Sequence, residues 1–465
     1  MKTPNFLWVP LAAALVTACT TPVKNQAVVA ADDQAREPFA STYEVSSSST
    51  TLIQAATVLT GDGQQLDNTD IYLIDGKIAQ IGTGLSIEQA DEIVDGAGKW
   101  VTPGLIDVHS HMGVYPAPET SNHADGNEMT APVTAEVWAE HSVWPQDPQY
   151  EKALAGGITT FQVLPGSANL FGGRGVTLKN VSSVTVQGMK FPDAPHSLKM
   201  ACGENPKRVY GGKGRAPSTR MGNMAGFRKA WIDAVEYRDA WQKFESGESA
   251  SAPKRNLKLE TLKGVLDGDI RIHNHCYRAD EMAQMIDLSK EFGYRIAAFH
   301  HAVEAYKVAP LLAQEEICAV MWADWWGFKQ EAFDMVRENL ALVDMVKACA
   351  VIHSDDGIQV QRLNQEVAKA MVSGNEMGLD ISPAHALRWV TLNAAKSLGL
   401  EDEIGSITIG KNADVVLWSA DPFSVYAKAD KVWIDGVKRF DRQMPGLTPT
   451  RDFNLGVLSP QEDRP

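Results

Sequence analysis

Cysteine is scarce in this chain: five residues in 465, at Cys19, Cys202, Cys276, Cys318 and Cys349, widely scattered and with no Cys-x-x-Cys pair. A fold that depends on disulfides is therefore not indicated, and the apolar, strand-like surroundings of the last four predict free thiols buried as small hydrophobes. No apolar run is long enough for a permanent membrane span. Cations are outnumbered, with 43 Lys and Arg against 58 Asp and Glu and a net charge of -15. That balance disfavours nucleic acid and anionic membrane surfaces, whose phosphates need clustered positive charge. Histidine-rich tracts of a metal scavenger are absent. Gly172-Gly173-Arg174-Gly175 lacks the Gly-Lys-Ser/Thr ending of a phosphate loop and reads as a tight turn. What remains is ordinary globular material, 44% hydrophobic and 22% charged, long enough for one large domain and a smaller one.

The N-terminus pairs Lys2 with an apolar stretch from Phe6 to Ala18, the make-up of an export signal covering residues 1–18. Val16-Thr17-Ala18-Cys19 resembles the bacterial lipobox, which implies lipidation of Cys19 as the new N-terminus. Thr20 follows where an aspartate would favour inner-membrane retention, so the expected location is the outer membrane facing the periplasm. The alternative is a soluble periplasmic or secreted protein with an incidental Cys19. Residues 19–51, rich in Ala, Ser, Thr and Gln and ending in the run Ser46 to Ser49, read as a flexible tether. Membrane contact is then expected only through the lipid.

Structure is expected from Leu52. Leu52 to Leu59 leads into Gly61-Asp62-Gly63, and Asp70 to Ile74 leads into Asp75-Gly76, a tight-hairpin signal. Similar strands return at Ala413 to Trp418 and at Lys431 to Gly436, so residues 52–101 and 405–450 are expected to share one small sheet domain. Between them, at 102–404, strand-like runs alternate with amphipathic segments, the pattern of βα units; 451–465 is a tail. Tyr210 to Lys254 looks like an inserted helical lid or ornament, and Met321 to Phe328 supplies aromatics suited to a pocket wall or to packing.

The most informative run is Val101 to His111. His109 and His111 stand two apart at the end of an apolar strand, so their imidazoles share a face and suit a divalent ion of the zinc class. Two further runs, Arg271 to His275 and Arg295 to His301, also end in histidine.

Pro103-Gly104 followed by Leu105 to His111 resembles the first barrel strand of the amidohydrolase superfamily, and Gly405 to Asp414 resembles its re-entry segment. The resemblance implies a (β/α)8 TIM-like barrel beside a small β-sandwich built from N- and C-terminal strands. It implies zinc or another divalent transition metal, one or two ions, held by His109, His111, His273, His301 and Asp355. His275 and His300 are the alternatives within their pairs. Asp355 would also serve as general acid and base, with Asp356 as its rival and a helix cap by default. A bridging group would come from Lys199, carboxylated, or from Glu204. Asp107 would orient a histidine or cap the strand turn. Gly203 to Arg208 is similar to the imidazolonepropionase-related, prolidase-like group. The implied activity is hydrolysis of a C-N bond in a small-molecule amide, cyclic amide or Xaa-Pro-type dipeptide. The alternatives are a nucleobase-type deaminase and a noncatalytic surface lipoprotein clipped by metal. A homo-oligomer is compatible with the sequence.

Overall fold

Runs such as Leu105–Ser110 and Cys318–Met321 are buried along their whole length. Strands covered on both faces need no polar alternation, which is how parallel sheets under helices read. The computed structural model describes residues 39–86 and 90–444. The expected signal, Cys19 and the tail 451–465 therefore lie outside the described residues. The fold described is that of the compact unit beginning at Ser41. Among the described residues no helix is long and apolar enough to cross a membrane.

One sheet joins the two ends of the chain. It contains β1 (Thr51–Leu59), β2 (Gln65–Ile74), β3 (Lys77–Gly82), β4 (Glu92–Asp95) and β5 (Trp100–Pro103), then β14 (Val415–Trp418), β15 (Ala429–Ile434) and β16 (Val437–Asp441). Its order is β16-β15-β14-β5-β1-β2-β3, with β4 on β1. Both Asp-Gly pairs do what their chemistry favours: Asp75 and Gly76, and again Asp435 and Gly436, take positive φ in the hairpins β2–β3 and β15–β16. The core of this layer includes Ile53, Val58, Leu73, Val101, Val415, Leu417 and Trp433.

The second sheet is the barrel: β6 (Leu105–Ser110), β7 (Ile158–Val163), β8 (Phe171–Lys179), β9 (His196–Ala201), β10 (Ile270–Cys276), β11 (Ile296–His301), β12 (Cys318–Met321) and β13 (Ala350–Ile352). They pair in sequence order. The seam between β13 and β6 is bridged just beyond β13, where Asp355 N donates to His109 O at 3.1 Å. Helices Leu257–Asp267, Ala279–Phe292 and Ala305–Gln314 bury apolar residues of the main core cluster. The first two end at Gly268 and Gly293 in the left-handed conformation that closes a helix.

The structure corrects several expectations. Gly172-Gly173-Arg174-Gly175 is no turn but part of β8, which runs antiparallel to both β7 and β9. Gly173 sits at a register shift with φ of 117°, and a Cβ there would lie 2.4 Å from Val137 O. Glycine permits that bulge and that close backbone approach. Four cysteines expected as free thiols form two disulfides, Cys202–Cys276 and Cys318–Cys349. Cys202 follows β9 and Cys276 ends the adjacent β10, while Cys318 opens β12 and Cys349 immediately precedes the adjacent β13. Distance along the chain hides such neighbours; the Cα atoms are 5.3 and 4.4 Å apart, within bridging range. The end of the expected tether is docked: Ser41 Oγ donates to Lys190 O at 2.8 Å, and the Tyr43 hydroxyl donates to Asp435 Oδ2 at 2.6 Å. The insertion is helical at Arg220–Glu245, but it packs Trp231 between Phe171 and Tyr294 on the barrel side.

Candidate metal centre

The C-terminal ends of β6, β9, β11 and β13 bring their polar residues to one place. His109, at the end of β6, and Asp355, three residues past β13, are 3.4 Å apart from Nε2 to Oδ1. His111 Nε2 lies 3.3 Å from the same carboxylate oxygen, and His301 Nδ1 lies 3.8 Å from Oδ2. Lys199 Nζ, from β9, is 3.4 Å from His109 Nε2. Two triads have ligand atoms within 4.8 Å of one another: His109, His111 and Asp355, and His109, His301 and His353. Of the residues expected as ligands, the structure gathers His109, His111, Lys199, His301 and Asp355. His353 was not anticipated.

His273 is placed elsewhere. Its Nδ1 is 2.8 Å from His300 Nε2, and His300 Nδ1 is 2.8 Å from His109 Nδ1. Each of these two contacts joins a pair of imidazole nitrogens, so each needs one proton. If His109 is to offer a bare Nε2, its Nδ1–H donates to His300, His300 Nε2–H donates to His273, and His273 keeps a proton on Nε2. That Nε2 is buried without a partner. His273 and His300 thus orient His109 from behind, as outer hydrogen bonds commonly orient ligating histidines. His275 comes within 4.6 Å of His301, ring centre to ring centre, and its Nε2 is 3.5 Å from Asn205 Nδ2. Glu204 opens the helix Glu204–Gly211 and pairs with Lys329 at 3.3 Å. The other contender for a bridge, Lys199, is the one beside the cluster.

Asp107 orients no imidazole ring. Its Oδ2 accepts from Ser354 Oγ at 2.5 Å, while Oδ1 accepts from Ser354 N at 3.2 Å and His109 N at 3.3 Å. This clamps the turn after β13 against β6 and lets Asp355 take a φ of 58°. Asp356 accepts from Ile358 N and Gln359 N, the hydrogen bonds of a turn cap.

Burial sets the protonation. It drives His109, His275, His300 and His301 well below the usual imidazole range and His273 and His353 down to about 3, leaving neutral rings. Burial likewise lowers Lys199 to about 7, against the pull of Asp355. For Asp355 burial acts upward, but the hydrogen bond and charge of His111, with His353 and Lys199, hold the carboxyl below its usual value. Imidazoles gathered around one carboxylate are the donor set of a divalent ion such as zinc. The fit is supported by nitrogens left buried without partners: both of His353, Nδ1 of His301 and Nδ1 of His275. Such groups are costly unless something ligates them.

One wall of the site is aromatic. Trp322 stacks on His301 at 4.4 Å and on Trp325 at 5.4 Å, and Tyr277 lies 5.4 Å from His301. Trp322 Nε1 donates to Ser354 O at 3.2 Å, tying the wall to the clamped turn. The loop carrying these rings is pinned through Glu331 to Arg220, which also reaches Glu281 at 3.0 Å.

Comparison with known proteins agrees with this geometry. Residues 335–439 match the Amidohydrolase family. An amidohydrolase from Thermotoga maritima MSB8, known by crystal structure, is 36% identical, covers 84% of this chain and all of that one, and superposes with a TM-score of 0.78. Amidohydrolase tasK of Hapsidospora irregularis is 32% identical over 399 residues, 80% of this chain; the chain spans only 40% of that protein's length. The imidazolonepropionase of Geobacillus sp. (strain WCH70) is 23% identical over 396 residues, 76% of this chain and 84% of that protein.

Proposed function

The chain belongs to the amidohydrolase family, and on that premise we propose that it is a metal-dependent hydrolase of small molecules, cleaving an amide, a cyclic amide or an Xaa-Pro-type dipeptide bond. The observation that carries this reading is Asp355, held below its usual range, gathered with His109, His111, His301 and His353 at the C-terminal ends of the barrel strands, with His301 Nδ1 and both nitrogens of His353 buried without a hydrogen bond, where enzymes of this architecture work. His109, His111 and Asp355 would hold the ion, with His301 and Lys199 beside it. When bound, zinc or a neighbouring divalent ion supplies Lewis acidity and brings the pKa of a water toward about 7.

The protein's own part is positional. Asp355, kept anionic by His111, takes the proton from the attacking water and returns it to the departing nitrogen. His300 and His273 hold His109 in one tautomer. The stacked Trp322, Trp325 and Tyr277 exclude water from one side, which strengthens the electrostatics within. Lys199, buried, lowered to about 7 and 3.4 Å from His109, would be the residue to carry a carbamate, a role supported over that of Glu204, which pairs with Lys329.

We extend the proposal to location: export, with Cys19 lipidated, at the periplasmic face of the outer membrane. Two disulfides support an oxidising compartment. The test is direct. The full chain, purified and reconstituted with Zn2+ or Co2+, is screened against acyl-amino acids, Xaa-Pro dipeptides and cyclic ureides. Turnover of a C-N substrate that chelation abolishes and metal restores is expected. Metal-saturated protein inert toward all three classes would refute the reading.

A further inference from the structure

His353 stands outside the set of ligands that the family resemblance supplies, yet its surroundings are those of a ligand. It follows β13 and is buried to 1% exposure, with neither ring nitrogen hydrogen-bonded. Two orphaned nitrogens on one buried ring are unusual, because each lacks the water it gives up on folding, and a histidine kept for packing alone would ordinarily find one partner. Its ring lies 5.2 Å from His109, stacked at 28°, and 5.0 Å from His301. With those two it forms a group whose donor atoms are mutually within 4.8 Å. The backbone holds it there: His353 N donates to Met321 O, and the next two residues are pinned to Asp107 and His109. Trp322, 5.0 Å away, backs the ring.

The two triads share His109. Its Nδ1 is committed to His300, so only Nε2 can ligate, and one nitrogen serves one ion. The triads cannot each hold a separate ion through His109. We propose that they are two halves of a single binding site, and that His353 is a direct ligand of the ion, extending the donor set beyond His109, His111 and Asp355. This rests on the metal-dependent reading above. It adds a fixed neutral donor from β13, two residues before the acidic one. His109 on β6 and His353 just past β13 would then hold the ion from both sides of the barrel seam, beside Asp355.

The test uses Co2+ as the probe, bound to the full chain, and compares wild type with His353→Ala and His353→Gln. Three quantities are read: the visible d–d spectrum, the affinity in competition with a chelator, and the number of imidazole scatterers by X-ray absorption. The inference expects one imidazole fewer, an altered d–d band and at least tenfold weaker binding in His353→Ala, with part of the affinity restored by the amide oxygen of His353→Gln. If both variants fold, bind Co2+ as tightly as wild type and show its spectrum, His353 is not a ligand and the inference fails while the hydrolase reading stands. Should neither variant fold, wild type alone decides: four or more nitrogen scatterers support the inference, and three or fewer overturn it. A wild-type chain that binds no divalent ion sinks both.

Discussion

Removing the two disulfides separates their effects by position. Cys202–Cys276 closes a stretch with a sequence separation of 74, and Cys318–Cys349 one of 31. On the chain-entropy account, closing loops of those lengths in the unfolded state contributes about 4 kcal/mol each. For an ordered body of this size the unfolding entropy is large, so about 4 kcal/mol corresponds to about 5 °C in Tm. The first bridge ties the end of β10, next to His275 and Tyr277, to the segment before Glu204. The second lies at the start of β12, away from the metal cluster. Paired substitutions Cys202→Ser with Cys276→Ser, and Cys318→Ser with Cys349→Ser, are compared by thermal melting and by kcat/KM. Both pairs should lower Tm by about 5 °C, and only the first should also lower activity. Four reactive thiols in unreduced, denatured wild-type protein would refute the pairing outright, and an unchanged Tm in both variants would refute the magnitude.

Other predictions follow from the same geometry. Asp355→Asn should lower kcat by about a thousandfold or more while metal remains bound, measured by elemental analysis beside steady-state kinetics; general acid–base groups contribute about 10^2 to 10^4. Burial raises Asp414 to about 6, against the charge of Lys179. A carboxyl raised in the folded state binds more protons there than when unfolded, so its ionisation removes stability as pH climbs from about 4 to about 6. Asp414→Asn should flatten that part of the stability profile, read by melting at a series of pH values; a profile unchanged from wild type would contradict it. Tyr43→Phe removes the hydrogen bond to Asp435 and should destabilise by about 1.5 to 3 kcal/mol, seen as a lower denaturation midpoint with kcat unaltered.

The barrel and its companion sheet were legible because their signals are local. Apolar strands, Asp-Gly hairpins and a histidine pair two apart each depend on neighbours in sequence. The contest between His300 and His301 was not legible. Consecutive strand residues face opposite ways, but His301 has a φ of 69°, which turns the chain so that both rings reach the interior. The partner of His273 was not legible either: it lies beside Lys199 in register, yet its Nδ1 meets His300 Nε2, a contact set by depth in the barrel. His353 carried a usable sign, since it precedes Asp355 by the spacing that singled out His109 and His111. The disulfides join residues on neighbouring strands whose adjacency only the closed sheet creates, and β8 hid behind glycines that here serve close backbone contact.

The central claim is that these strand ends form one ion site on which hydrolysis depends, and metal stoichiometry tests it most directly. Purified wild type should contain at least one equivalent of tightly bound divalent transition metal, and His111→Ala together with Asp355→Ala should reduce it below about a tenth while the fold, by circular dichroism, is kept. A double variant that retains full metal content, or a wild type that holds none after reconstitution, would contradict it.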